Sequence, residues 1–365
     1  MNEFARFRAP GEAEAEERTW AVVAAAYAER DATRARRRPL RPALVLAVVA
    51  ALTAVAFTPP GKAVIASVRK AIGVASARPA LFSLPARGNV LAGGWLVRAD
   101  GSARRLGDYT QSSWSPFGHF VVAANRNELA ALEPDGSIRW TLARPDVRFP
   151  RWAGGRTDTR VAYLSGSHLR IVAGDGTGDR PVALAAHVAP SWREAASAGA
   201  LVLAYADPRG RVRAFEPASG RTLFLTAPGP LPTTLEWSDD GGRLLVVTPG
   251  RLRIYDSHGR LKTSVPGTFR DASFLPGTRR VALLSLRGND SVVSLLGTAR
   301  PLFRTSGRLA QVVPSPDARW LLVTWPQADQ WLFLRVAGNG RLRAVGDISE
   351  QLGGSFAVGG WCCRR

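Results

Sequence analysis

Residues 315–323 (SPDARWLLV) join a short polar corner to a run of apolar residues, and near-copies of this stretch return along the chain. The near-copies are SPFGHFVV at 115–122, SDDGGRLLVV at 238–247 and LPGTRRVALL at 275–284. Each corner contains Gly, Pro or Asp, which favour a turn, and each apolar run of Val, Leu and Ala favours a β-strand. The recurrence predicts a repeat architecture of short strands.

An aromatic residue precedes most of the corners, and its position gives the period of the repeat. The residues in this aromatic slot are Trp114, Trp152, Trp192, Trp237 and Phe274, followed by Val313. Successive steps are 38, 40, 45, 37 and 39 residues, and a period near 40 with about four short strands is typical of a β-propeller blade. Stacking blades around an axis covers both apolar faces of each sheet. We therefore expect the aromatic residues to pack between blades.

The region after residue 80 is predicted to be all-β, with six units starting from these corners. Two further pieces remain, at 89–107 and 353–363. The second resembles the first strand of a blade, with Trp361 near the aromatic slot, and the first resembles the other strands. We expect them to form a seventh blade closed by both ends of the chain, which leaves no sheet edge. Six blades is the alternative, with both pieces capping the ring.

The corners resemble those of a known family of propellers. WSPFGHFVV at 114–122, WSDDGGRLLVV at 237–247 and SPDARWLLV are similar to the WSPDGKxLAF corner of TolB-type, WD40-like (PD40) propellers. The resemblance covers most of the chain after residue 80, and it implies a periplasmic or surface binding scaffold without a shared active site. The units at 151–164 and 191–205 lack the Ser-Pro-Asp-Gly core. The match is therefore more specific for fold than for function.

Residues 1–41 are predicted to form a cytoplasmic tail with one amphipathic helix. Acidic residues lie near the start of this helix and arginines near its end, which complements the helix dipole. Trp20, Val23, Ala24 and Tyr27 are spaced i, i+3, i+4, i+7 and share one face. A single helix cannot bury that face against itself. The tail is therefore either loosely ordered or a docking helix for a partner protein.

Residues 42–60 are predicted to form a transmembrane helix, because 42–58 contain no charged residue. More basic residues precede this segment than follow it, which favours a cytoplasmic N-terminus and a propeller outside the cell membrane. The alternative is a cleaved signal peptide, but the tail of more than 40 residues favours a retained anchor. Residues 61–80 are assigned to a linker, and 81–365 to the propeller.

The chain is strongly basic, with a formal net charge of +20. Arginine supplies almost all of the basic residues, and these are spread along the chain with no long basic run. We therefore expect no nucleic-acid partner. Binding of a polyanion or of anionic lipid is an alternative if the excess charge gathers on one face of the propeller.

The sequence predicts no cofactor, no metal site and no catalytic residue. The four histidines, which are His119, His168, His187 and His258, fall in separate units without the spacing of metal ligands. The segment SGSHL at 165–169 resembles a nucleophile elbow, but it falls in a predicted hairpin. The loop AGDGTGD at 173–179 could hold calcium through Asp175 and Asp179, although a plain hairpin turn is the favoured interpretation.

The two cysteines, Cys362 and Cys363, are adjacent. A disulfide between neighbours closes an eight-membered ring, whereas disulfides usually join well-separated Cα atoms. We therefore expect two small apolar side chains in a terminal strand, with redox or intermolecular pairing as the alternatives.

The leading hypothesis for function is a membrane-anchored extracytoplasmic propeller that binds a protein or another ligand without catalysis. A sensory or regulatory role is suggested by the layout, which is similar to that of membrane-bound anti-sigma regulators. The His and Cys residues of their zinc-type motif are absent from the first 41 residues. The alternative is an extracytoplasmic enzyme, such as a lyase, lactonase or hydrolase, with acids and His gathered at the channel mouth.

Overall fold

The chain folds into a seven-bladed β-propeller. A computed structural model describes residues 83–154, 159–193, 200–337 and 342–363. These residues form seven antiparallel sheets of four strands each. The prediction of an all-β propeller with seven blades is confirmed, and the alternative of six blades is wrong.

Blades 1 to 4 each use four consecutive strands. Blade 1 contains β4 (Gln111–Trp114), β5 (Val121–Asn125), β6 (Glu128–Leu132) and β7 (Ile138–Ala143). Blade 2 contains β8 (Val147–Gly154), β9 (Thr159–Ser165), β10 (His168–Ala173) and β11 (Arg180–Leu184). Blade 3 contains β12 (Ser191–Arg193), β13 (Val202–Ala206), β14 (Val212–Phe215) and β15 (Thr222–Leu225). Blade 4 contains β16 (Thr234–Trp237), β17 (Arg243–Thr248), β18 (Arg251–Asp256) and β19 (Leu261–Pro266).

Blades 5 and 6 follow the same order, and blade 7 combines both ends of the domain. Blade 5 contains β20 (Thr268–Phe274), β21 (Val281–Arg287), β22 (Asp290–Leu295) and β23 (Phe303–Thr305). Blade 6 contains β24 (Gln311–Pro314), β25 (Trp320–Trp325), β26 (Gln330–Arg335) and β27 (Leu342–Val345). Blade 7 contains β28 (Val358–Cys362), then β1 (Asn89–Ala92), β2 (Trp95–Val97) and β3 (Ala103–Arg105). A short helix, α1 (Ile348–Leu352), precedes β28.

Blade 7 closes the ring as the sequence predicts. Strand β28 pairs with β1 in antiparallel register, with Asn89 opposite Cys362 and Val90 opposite Trp361. The indole of Trp361 is 7% exposed and meets the ring of Phe333 in blade 6 edge-on, with 5.8 Å between the ring centroids. The closing strand therefore joins blade 7 to blade 6 by packing as well as completing its own sheet.

The hydrophobic core lies between neighbouring blades. Trp152 of blade 2 packs in a cluster with Val122 and Leu129 of blade 1, and Phe274 of blade 5 packs in a cluster with Leu245 of blade 4. Burial of such side chains is the main source of stability for a sheet that exposes two apolar faces. The aromatic residues at the ends of the first strands thus occupy the spaces between sheets.

The register in blade 6 corrects one assignment from the sequence. The corner of blade 6 begins at Ser315, whose N–H donates to the carbonyl of Trp320, and the corner of blade 1 begins in the same way at Ser115. The residue before that serine is Pro314, which pairs with Leu321. Pro314 therefore occupies the aromatic slot, and the assignment of Val313 to it was wrong by one position.

Side chains within the repeated corners hold the turns. In blade 6 the Ser315 hydroxyl donates to Asp317 Oδ1 over 2.6 Å and accepts the N–H of Trp320 over 3.0 Å. Ser238 makes the same pair of contacts in blade 4, with Asp240 and Arg243. These bonds join residues that are close in sequence, so the corners of different blades use the same residue types at the same places. The corner can therefore be recognised from the sequence.

One corner residue has a backbone conformation that favours glycine. Ala318 has φ of 58°, and Gly241 occupies the corresponding place in blade 4 with φ of 64°. A left-handed conformation costs an L-residue about 1–2 kcal/mol, which exceeds the entropic cost of a glycine of roughly 0.5–1 kcal/mol. We expect Ala318→Gly to raise the free energy of unfolding by about 0.5–1 kcal/mol, as measured by urea denaturation.

The reverse change at Gly277, another corner residue with a left-handed backbone (φ of 66°, in blade 5), provides the control. A Cβ at Gly277 would meet no atom within 4 Å, so Gly277→Ala tests the backbone conformation without a clash. We expect this variant to lose about 1 kcal/mol. A loss of stability in Ala318→Gly would show that the methyl group contributes more by packing than its conformation costs.

Two predicted segments lie outside the described residues. These are the amphipathic helix with Trp20, Val23, Ala24 and Tyr27, and the transmembrane helix at 42–60. Within the part of the chain that the structure describes, no helix is both long and apolar enough to span a bilayer.

Candidate functional site

The innermost strands of the seven blades surround a central channel. The cavity in this channel has a volume of about 610 Å³ and is lined by residues of β4, β8, β12, β16, β20, β24 and β28. Several charged or amide side chains line it, among them Gln111, Arg151, Glu236 and Asp271. These four come from four different blades, and the fold brings them together although they are far apart in sequence.

Several polar side chains of the channel wall bind the backbone of the next blade. Glu236 Oε1 of blade 4 accepts the N–H of Phe274 in blade 5 over 3.1 Å. Asp271 Oδ2 of blade 5 accepts the N–H of Val312 in blade 6 over 3.0 Å. The amide oxygens of Gln111 and Gln311 accept N–H groups of the next blade in the same way. These side chains satisfy backbone donors that the first strand of a sheet would otherwise leave unpaired.

Two carboxyl groups of the channel wall, Glu236 and Asp271, have raised pKa values. Burial raises the pKa of Glu236 to about 8, against hydrogen bonds from Ser273 and Phe274 that lower it, and the charge of Asp271 adds to the rise. Burial likewise raises the pKa of Asp271 to about 6, against hydrogen bonds from Val312, Thr234 and Ala272. At neutral pH, Glu236 is therefore mostly protonated and Asp271 mostly ionised.

The raised pKa of Glu236 predicts a pH-dependent stability. The folded protein holds this proton up to a pH near 8, whereas the unfolded chain releases it near its ordinary pKa of about 4.3. The unfolding free energy therefore falls as pH rises between these values, by up to about 1.4 kcal/mol per pH unit. We expect Glu236→Gln to remove this loss, so that the variant is more stable than the parent at pH 9 but similar at pH 5.

Urea denaturation of both proteins from pH 5 to pH 9 measures the difference. Asp271 stays in both proteins, and its contribution between about pH 4 and pH 6 should be common to them. A variant less stable than the parent at pH 9 would show that the ionised carboxylate stabilises the ring.

Arg151 is the cationic side chain of the channel wall. Its Nη1 donates to the carbonyl of Pro150 over 2.9 Å, and no described carboxylate lies within ion-pair distance of its guanidinium. Burial lowers the pKa of Arg151, and the charge of Glu236 partly opposes this effect. The wall therefore contains a guanidinium whose other donors have no partner among the described residues.

A second charged cluster lies away from the channel, where Asp179 pairs with two arginines. The side chain of Asp179 is 5% exposed, and its Oδ2 is 2.7 Å from Nη2 of both Arg144 and Arg170. Tyr163 donates its hydroxyl to Asp179 Oδ1 over 2.7 Å. Burial of the Asp179 carboxyl acts to raise its pKa, but the hydrogen bonds from Arg170, Tyr163 and Arg144 outweigh it and lower the pKa.

This cluster decides between the two interpretations of the loop at 173–179. Asp175 caps its own turn by accepting the N–H and hydroxyl of Thr177, whereas Asp179 is turned to the two arginines. The two carboxylates therefore have different partners, and the loop is a hairpin turn. Among the described residues, no group of three or more His, Cys, Asp or Glu is placed to hold a metal ion.

The other residues singled out by the sequence are dispersed. His168 pairs with Ser165 at the hairpin between β9 and β10, which confirms the hairpin predicted for SGSHL. His258 lies in the turn between β18 and β19, and His187 lines the channel. Asp240 caps its corner, while Asp239 accepts the N–H of Gly277 in the next blade over 2.8 Å. No described arrangement brings the histidines to one place.

The cysteines correct a second assignment. Cys362 and Cys363 form a disulfide with each other, so the expectation of two unpaired apolar side chains was wrong, although Cys362 does end the terminal strand β28. The sulfur of Cys363 packs against Gly118 in the corner of blade 1, where a Cβ would overlap it. The pair therefore lies at the junction of blades 7 and 1, where both side chains are partly buried.

The channel residues were missed by the sequence analysis. A first strand of a blade contains mainly apolar or small residues, yet Arg151 and Glu236 directly precede Trp152 and Trp237 in the repeat. A charged residue beside the aromatic slot is thus a signal for the channel wall. The sequence alone could not show that these two positions face one cavity, because a whole blade separates them.

Comparison with known proteins shows the fold and no family. No protein family and no curated protein matches the sequence. The C-terminal WD40 domain of Sif2 is similar to the chain with a TM-score of 0.54 and 14% identity, covering 76% of this chain and 84% of that domain. A structure of the mitotic checkpoint complex contains a chain with a TM-score of 0.51 and 13% identity, covering 65% of this chain and 78% of the other.

These similarities agree with the blades described above. At such low identity they show a shared propeller fold with a WD40-like arrangement. The narrower resemblance to TolB-type propellers stays a prediction from the corner motifs.

Proposed function

We propose that the protein is a membrane-anchored propeller that binds a protein partner outside the cell membrane without catalysing a reaction. Its N-terminal tail, with Trp20, Val23, Ala24 and Tyr27 on one helix face, contributes a cytoplasmic docking site. The predicted span at 42–60 supplies the anchor. A chain with a site on each side of the membrane suits a sensory or regulatory role, as the layout shared with anti-sigma regulators suggests.

The observation that carries this proposal is how the channel carboxylates are used. Glu236 and Asp271 accept backbone N–H groups from the next blade, at 3.1 and 3.0 Å. Catalytic acids act on a substrate in a free cavity, and they need an acceptor oxygen or proton that is not already committed to the scaffold. The geometry therefore favours a binding module over the lyase, lactonase or hydrolase alternative.

A partner also fits what is known of similar folds. The mitotic checkpoint complex, which contains a propeller of similar fold, is by its description an assembly of proteins. The rigid ring offers broad faces for such contacts, because the corners and hairpins of all seven blades end on them.

Capture of partners from membranes tests the proposal. The full chain is compared with Trp20→Ala/Tyr27→Ala, which removes the two aromatic rings of the helix face. The matched control is Arg18→Ala/Val22→Ala, which lies on the opposite face of the same predicted helix. A partner retained by the control and lost with the aromatic pair supports the docking helix. A partner retained by all three chains assigns binding to the propeller, and the absence of any partner contradicts the proposal.

The topology is tested separately with a tag at each end of the chain. We expect antibody on intact cells to label the C-terminal tag, and the N-terminal tag only after permeabilisation. Alkaline carbonate should leave the full chain in the membrane fraction. Release of a tagged propeller into the medium would instead support the cleaved signal peptide.

A further inference from the structure

We propose that the central channel binds the carboxylate group of a ligand at Arg151. The site is the part of the channel wall around Arg151 of blade 2. It is independent of the partner-binding role proposed above, because it lies inside the ring rather than on its outer faces.

Among the described residues, Arg151 has N–H donors without a partner. A guanidinium has five N–H donors in a fork that matches a carboxylate, and here its Nη1 donates to the carbonyl of Pro150. Removing a charged group from bulk water without a partner costs several kcal/mol. Such a cost is usually offset by an ion or a ligand, so an uncompensated guanidinium in a cavity marks a place for an anion.

The acid that approaches Arg151 does not neutralise it. Glu236 contributes a charge interaction to Arg151 across the channel, but burial raises the pKa of Glu236 to about 8. The carboxyl is therefore mostly uncharged at neutral pH. Its Oε1 also accepts hydrogen bonds from the Ser273 hydroxyl and the Phe274 N–H. Within the described ranges, the guanidinium thus has no ionised carboxylate at ion-pair distance.

The charge of the channel favours a carboxylate over other ligands. Arg151 offers one positive charge, and Asp271, with its pKa near 6, is mostly ionised at neutral pH. With Asp271 ionised, a doubly charged phosphate would add two negative charges to the wall, whereas a carboxylate adds only one. The cavity volume of about 610 Å³ falls within the range of small-molecule sites.

The first test needs no ligand. An unpaired guanidinium opposes folding, so Arg151→Met should raise the melting temperature of the full chain. Arg287→Met is the matched control, because Arg287 is exposed at the end of β21 and does not line the channel. We expect no rise for the control. A fall in the melting temperature with Arg151→Met would show that the guanidinium is a structural group and would overturn the proposal.

The second test titrates acetate against chloride at equal ionic strength. We expect acetate to raise the melting temperature of the parent and of Arg287→Met, and to bind Arg151→Met at least about 10-fold more weakly, as loss of a charged hydrogen bond implies. Equal responses of the parent and Arg151→Met, or no acetate effect on the parent, would overturn the proposal.

Two peptides distinguish a free ligand from a carboxylate presented by a polypeptide. Both are blocked at their ends, one with a single aspartate and the other with asparagine in its place. Tighter binding of the aspartate peptide than of acetate assigns the carboxylate to a chain, and weaker binding assigns it to a small molecule. Equal binding of the two peptides to the parent, together with no acetate effect, would exclude carboxylate recognition.

Discussion

Replacing Asp179 by asparagine is expected to lower the free energy of unfolding by about 3–5 kcal/mol, because it leaves two guanidinium groups without their shared counter-charge. The side chain of Asp179 is 5% exposed, and both Arg144 and Arg170 lie 2.7 Å from its Oδ2. Asparagine keeps the shape of aspartate, so the loss reports the charge. Urea denaturation followed by tryptophan fluorescence measures the change.

The same loop provides a matched control in Asp175. This carboxylate is exposed and accepts hydrogen bonds from Thr177 within its own turn, so Asp175→Asn should cost about 1 kcal/mol or less. Losses of similar size in both variants would show that the arginine cluster contributes little to stability.

The Asp179 cluster also predicts how the parent responds to acid. The pKa of Asp179 is lowered in the folded protein, so its contribution is complete above its ordinary pKa of about 3.9 and is lost as pH falls through the folded value. Asp179→Asn should therefore flatten the acid limb of the stability profile below about pH 4. An unchanged acid limb in the variant would contradict this assignment.

Removing the closing strand is the second change with a large expected effect. A chain that ends at residue 357 lacks β28, so β1 loses its partner and blade 7 keeps three strands. The indole of Trp361 is also removed from the cluster that contains Phe333, and loss of a buried tryptophan alone costs about 3–5 kcal/mol. We expect the shortened chain to lose its cooperative unfolding transition.

Denaturation and sedimentation of the shortened chain test this expectation. The exposed edge of β1 should promote self-association, which sedimentation detects. The control is a chain that lacks residues 364–365 alone, which keeps β28 and should unfold like the parent. A chain ending at residue 357 that remains monomeric with an unchanged midpoint would show that blade 7 does not need its first strand.

The parts of the fold that were predictable depend on local interactions. The Ser315 and Asp317 side chains bond within their own corner, so the same residue types mark the turn in several blades. The spacing of about 40 residues between corners then predicted six blades. The two remaining segments, 89–107 and 353–363, predicted a seventh blade that closes the ring. Val313 was misassigned because no aromatic residue precedes the corner of blade 6: the place directly before Ser315 is occupied by Pro314, which pairs with Leu321.

The candidate site was not predictable because it depends on contacts between distant blades. Arg151 and Glu236 are separated by the whole of blade 3, and their shared cavity exists only when the ring is closed. The ion pair of Asp179 with Arg144 also joins two blades, since Arg144 comes from the end of the preceding blade. It was not predictable for the same reason. The sequence identifies the charged residues, whereas only the closed ring determines which of their side chains come into contact.

The pairing of Asn89 with Cys362 imposes an order on biosynthesis. The two residues are roughly 270 positions apart, so a ribosome adding about 10 residues per second completes the second roughly half a minute after the first. Throughout that interval the edge of β1 has no neighbouring strand to pair with. Val90, Leu91 and Ala92 of this strand are fully buried in the finished protein. The blade whose strands are translated first is therefore the last to complete its sheet, because β1 cannot pair until β28 has been made.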